Sequence, residues 1–88
     1  MAKIDKKTLE AVRKAVAGTL NREVKVQVER LEKGRWAVTL LMGKEQSTPI
    51  GLESWEMDAM RQVTLVPAHK RGIFLRQYAM LESATEKT

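Results

Sequence analysis

Cysteine is missing from all 88 residues, which excludes disulfides, thiolate metal sites and thiol catalysis together. Histidine occurs once, at position 69, so a two-histidine metal site cannot be built and no cofactor is expected. Aromatics are sparse: Trp36, Trp55, Phe74 and Tyr78 are the whole set. No apolar run approaches the roughly 18 residues that cross a bilayer, so no membrane association is expected. The opening stretch Met1–Lys7 is basic with no apolar segment behind it. A secretory signal is therefore not expected, and a cytoplasmic location is the simplest inference. A phosphate-binding glycine loop is also wanting, because Gly43-Lys44 lacks the preceding glycines and the following hydroxyl.

What is present describes an ordinary globular chain, 43% hydrophobic and 31% charged, rather than a disordered one. Its length suits one domain over 1–88, with residues 1–3 and 83–88 expected to fray. The net charge is +5, from 16 basic and 11 acidic residues, and it is unevenly spread. Lys3, Lys6, Lys7, Arg13, Lys14 and Arg22 against Asp5 and Glu10 leave residues 1–22 at +4. Lys70, Arg71 and Arg76, with no acid among them, put residues 67–78 at +3. Glu53, Glu56 and Asp58 against Arg61 hold residues 53–66 at −2. Such a balance favours polyanionic partners.

The spacing predicts a first helix capped by Asp5 and stopped at Gly18, with Leu9, Val12 and Val16 on its inner side. Val24, Val26 and Val28 alternate with Lys25, Gln27 and Glu29, the period of a strand. A turn at Glu32–Gly34 leads to a second strand over 35–42, antiparallel to the first. That strand is apolar on both faces, which predicts a central place covered twice, or covered by a partner. Pro49 confines a third strand near Ser47–Ile50 to an edge. A short helix from Ser54 to Gln62 follows, with Trp55, Ala59 and Met60 turned inward. Strands over 63–66 and 73–81 complete the order α-β-β-β-α-β-β. The fold class is α+β, a mainly antiparallel sheet with helices on one face.

Residues 71–78, RGIFLRQY, resemble the signature strand of RNA-recognition motifs in Arg71, Gly72 and Tyr78. Ile73 and Leu75 stand where that signature needs exposed aromatics, Phe74 where it needs a small residue, and that fold begins with a strand. Membership is excluded. On a strand, Phe74, Arg76 and Tyr78 would share one face, a row able to stack bases and hold a phosphate. Packing beneath a helix is the competing role, and it is the one expected of Phe74.

Catalytic signals are nearly absent. His69 falls in an expected loop, Ser54 has no evident base, and Glu56 and Asp58 are two apart and share no helical face. The sequence therefore points to a small non-catalytic nucleic-acid-binding protein of low sequence specificity, for DNA or RNA. Lys6, Lys7, Arg13, Lys14, Lys70, Arg71 and Arg76 would hold phosphates, and Tyr78, then Phe74 or Trp36, would stack. The alternative is a protein-interaction module, a small regulator of a larger protein. It would act through the doubly apolar strand, through adaptable methionines, or through the Ser47–Ile50 edge pairing with a partner or a second copy.

Overall fold

In the computed structural model, which describes residues 4–86, the chain runs α1 (Lys6–Leu20), β1 (Lys25–Arg30), a helical turn at Glu32–Gly34 and β2 (Arg35–Met42). It continues as β3 (Glu45–Gln46), β4 (Ile50–Glu53), α2 (Ser54–Val63) and α3 (Ala68–Glu86). The α+β class and the antiparallel sheet agree with the sequence reading, while the last third of the chain does not. Observed is α-β-β-β-β-α-α.

Asp5 caps α1 as its sequence predicts: its Oδ1 accepts the Thr8 N–H at 2.7 Å. That bond holds the Asp5 carboxyl below the ordinary carboxylate value. The helix does not stop at Gly18. It runs on to Asn21, which takes the left-handed conformation (φ 58°) and donates its N–H to the Ala17 carbonyl. Gly18 has a different task. A Cβ there would stand 3.2 Å from the Thr64 carbonyl oxygen and 3.3 Å from Leu65, so its bareness lets the α2–α3 connection lie close to α1.

β2 is central. β1 pairs with one side of it, from Lys25–Leu41 to Arg30–Trp36. β3 and β4 share its other side, with Ser47–Pro49 bulging between them. Ser47 mends the gap: its N–H donates to the Leu40 carbonyl, and its hydroxyl accepts the buried Leu40 N–H at 2.9 Å. Replacing Ser47 with Ala leaves that buried donor unpaired and should cost about 1–3 kcal/mol, read by urea denaturation. A loss below about 0.5 kcal/mol would mean that water substitutes for the hydroxyl.

The pleat sends Val26, Val28, Val38, Leu40, Ile50 and Leu52 to one face, where they join Val12, Val16, Met57, Met60, Phe74 and Leu81 in a single core. All three helices cover that face. The other face carries Lys25, Gln27, Glu29, Thr39 and Leu41 and, apart from the small Ala37, none of it is buried, so β2 is covered by helices once rather than twice. Methionines expected at an adaptable surface are divided, since Met57 and Met60 lie in the core.

Two predicted strands are helical or connecting. In 63–66, β-branched residues suggest a strand, but Val63 ends α2 and Thr64 caps it left-handed (φ 54°) with its N–H on the Met60 carbonyl. The Val66 N–H goes to the Thr19 hydroxyl at 2.9 Å, not to a ladder. Residues 73–81 lie within α3. Phe74, Tyr78 and Leu81 recur at i, i+4 and i+7, and that stripe seats on the core. Ser83–Glu86 continue the helix rather than fraying. Fraying expected at residues 1–3, 87 and 88 lies outside the described residues.

Candidate functional site

The residues nominated from sequence do not gather into one patch. Lys6, Lys7, Arg13 and Lys14 do share the outer arc of α1, opposite its buried Thr8, Val12, Ala15 and Val16. Arg13 is already engaged, with Glu10 at 2.8 Å and Glu23 at 3.1 Å. These bonds raise the Arg13 guanidinium and lower the Glu10 carboxyl from their ordinary values. Lys70, Arg71 and Arg76 belong to α3, where Arg71 and Arg76 stand about 140° apart around the axis. The Phe74–Arg76–Tyr78 row is undone by the helix, which turns Arg76 to the side opposite the two rings. Phe74 is fully buried. Tyr78 is half-buried and capped by Arg22, whose guanidinium reaches its hydroxyl at 3.5 Å and Glu82 at 3.2 Å.

A different cluster forms where three elements meet. β4 passes into α2 with no loop between, so the first turn of α2 lies against the β1–β2 hairpin. There Ser54 donates its hydroxyl to the Gly34 carbonyl at 2.6 Å. Gly34 sits at φ 70°, and a Cβ on it would come within 3.0 Å of that hydroxyl, so this approach needs glycine. Two residues on, Glu56 folds back so that its Oε1 accepts the Glu53 N–H at 2.8 Å. Glu56 is only 1% exposed.

The second oxygen of Glu56 meets His69 Nε2 at 2.5 Å. His69 is therefore not a loop residue: it lies in the first turn of α3, tied to a buried carboxylate. Its ring stacks on the Trp55 indole, centroids 5.3 Å apart and planes 21° from parallel. Trp55 was expected to face inward but is 60% exposed. A chain of restraint thus runs from the α2 backbone through Glu56 and His69 to an exposed indole.

Glu56 also lines a cavity that Lys70 and Arg35 share, one whose lining includes neither ring of the pair. Lys70 donates to the Gly51 carbonyl at 3.1 Å, and Arg35 lies 3.8 Å from Glu53. Together with Trp36, Leu52 and Glu56 they line a cavity of about 250 Å³. The Arg30 guanidinium lies 5.6 Å from the centre of the Trp36 ring. Arg76 is seven residues after His69, on the same stripe of α3.

A carboxylate–histidine couple can serve a general base, but the Ser54 hydroxyl, nearest in sequence, is spent on Gly34. Among the described residues no group of three or more His, Asp or Glu can hold a metal ion, and no helix is long and apolar enough to cross a membrane. What the arrangement does is fix an exposed aromatic pair through Glu56, whose own cavity is lined by Lys70 and Arg35. The sequence carried one overlooked cue, Glu53 followed three residues later by Glu56, a spacing that lets the second carboxylate cap the first backbone N–H. The chain matches no protein-family model, no curated protein and no solved structure.

Proposed function

We propose that the chain binds single-stranded nucleic acid without catalysing a reaction on it, and that it does so at the junction of the β1–β2 hairpin, α2 and α3. The observation that carries this reading is the Trp55–His69 stack, an exposed indole held in place by a buried carboxylate. An unpaired base has a free π-face to lay on such a ring, whereas a base within a duplex does not. Fixing the ring beforehand removes part of the ordering cost of binding. Lys70 and Arg35, which line the Glu56 cavity, would take phosphates, and Arg76, on the His69 stripe of α3, would extend the track; Arg71 lies on another side of the helix. None of these side chains is arranged to read base edges, so specificity is low. Such a partner suits a cytoplasmic chain.

Replacing Lys70 and Arg35 together with Ala tests the placement. Each phosphate contact on a single strand contributes about 0.7 to the slope of log affinity against log salt, so the double variant should flatten it by about 1.4. Replacing Lys7 and Lys14 on α1 should leave the slope unchanged. The reverse outcome would move binding to α1.

A protein-interaction role draws support from one observation. Ile73 and Met80, seven residues apart, are exposed on one flank of α3, where the core stripe does not use them.

A further inference from the structure

We infer that the chain self-associates through β1, whose free edge pairs antiparallel with β1 of a second copy about a two-fold axis at Gln27. This inference is independent of the nucleic-acid reading.

Among the described residues β1 has β2 as its sole neighbour in the sheet. Which of its backbone groups remain free follows from the ladder. Lys25 lies opposite Leu41, and the same register continues to Leu31 and Arg35, where the Leu31 N–H donates to the Arg35 carbonyl at 2.8 Å. Odd-numbered residues of β1 therefore aim their N–H and C=O at β2. On β2, Leu40 lies opposite Val26 and exchanges its bonds with Ser47 on the far side, which fits the same phase. Val26, Val28 and Arg30 consequently turn their N–H and C=O outward from the sheet.

That edge lacks two of the usual guards, although Lys25, Glu29 and Arg30 give it mixed charge. It contains no proline, and its pairing with β2 runs over six consecutive residues without a bulge. The opposite edge has both safeguards, in Pro49 and the Ser47–Pro49 bulge, and Gln77 of α3 accepts the Thr48 N–H there. The edge predicted from sequence to pair with a second copy, Ser47–Ile50, is thus the guarded one.

Charge selects the partner. With the axis at Gln27, Val26 and Val28 of one copy exchange backbone bonds with Val28 and Val26 of the other, extending the apolar face. On the other face Lys25 then lies opposite Glu29 of the second copy, and Glu29 opposite its Lys25. These are non-hydrogen-bonded positions, where side chains come closest. Slipping two residues one way sets Glu29 against Glu23, a like-charge pair. Slipping two residues the other way sets Lys25 against Leu31. Of these three registers only the central one sets both Lys25 and Glu29 against an opposite charge.

The helix above fits the same picture. Leu9, Arg13 and Leu20 lie along one flank of α1, at the border of its outer arc, and Arg13 reaches Glu23, two residues before β1. This flank overhangs the free edge, and Leu9 on it is 37% exposed. A second copy would meet it there.

A chain without cysteine allows a direct test. In Gln27→Cys the two thiols face each other at the axis, within the Cα separation a disulfide accepts. Mild oxidation should convert it to a covalent dimer. Thr39→Cys, directly across β2 from Gln27, provides the control, because two such thiols would stand about 15 Å apart. Sedimentation of cysteine-free variants supplies the second arm. Lys25→Glu and Glu29→Lys should each weaken self-association about tenfold, and the two together should restore it. A chain monomeric at every concentration, Gln27→Cys crosslinking no faster than Thr39→Cys, or a double reversal that fails to rescue would overturn the inference.

Discussion

Trp55→Ala should lower affinity for a single-stranded oligonucleotide by about tenfold to a hundredfold, the span that corresponds to the roughly 1–3 kcal/mol of one base stacked on an aromatic ring. Its effect on folding should be small. The indole is 60% exposed and contributes nothing to the core, so the stability change should stay within about 1 kcal/mol. Fluorescence anisotropy reads the first quantity and urea denaturation the second. The pairing of outcomes is what matters. Trp55→Phe should recover part of the affinity, because stacking tolerates a change of ring more readily than its loss. If Trp55→Ala binds as well as the unaltered chain, the stack with His69 is a structural clasp and the nucleic-acid reading loses its main support.

Phe74→Ala should have the opposite profile, with a large cost in stability. Phe74 is fully buried among Leu40, Ile50, Met57 and other core residues. Truncating such a ring costs about 3–5 kcal/mol, from lost burial and the cavity left behind. A domain of this size holds a total stability on the order of 5–10 kcal/mol, so roughly half would go. Urea denaturation followed by circular dichroism measures it. A loss under about 1 kcal/mol would contradict the seating of α3, and would suit the solvent-facing aromatic row that a strand over 73–81 would present.

That contrast shows where the sequence was legible. The Asp5 cap, the β1–β2 hairpin and the Val-rich alternation of β1 are local signals, decided by neighbours in the chain, and each is found where expected. The end of the chain was ambiguous because α3 is apolar on more than one side. Phe74, Tyr78 and Leu81 mark the core stripe, but Ile73, Leu75 and Met80 blur its period, and Phe74, Arg76 and Tyr78 happen to alternate as a strand would. The helix-forming run after Tyr78 was the better guide. Asn21 and Thr64 mislead for another reason. Both take left-handed caps that glycine usually fills, and Gly18 is reserved for a close approach.

The candidate site was less legible than the fold. His69 and Glu56 are 13 residues apart, and nothing local says that a buried carboxylate waits for the only histidine. Trp55 follows Ser54 at a helix start, where an aromatic usually turns inward. It turns outward here because Glu56 and Met57 take the buried positions of that turn. The basic residues were easy to see but not to place. Arg13 and Arg22 are held by Glu10, Glu23 and Glu82, Arg35 lies near Glu53 and Lys70 is on the Gly51 carbonyl, and only tertiary structure shows which of them line a cavity.

The most direct test of the central claim is a titration of the unaltered chain against labelled single-stranded DNA, single-stranded RNA and duplex DNA, followed by fluorescence anisotropy from about 50 to 200 mM salt. The account predicts tighter binding to single strands than to duplex, with affinity falling by a slope of about −1.4 to −3 in log salt, as two to four phosphate contacts require. Tryptophan emission should be quenched along the same curve. No binding to any single strand at the low-salt end, or duplex preferred with tryptophan emission unchanged, would contradict it.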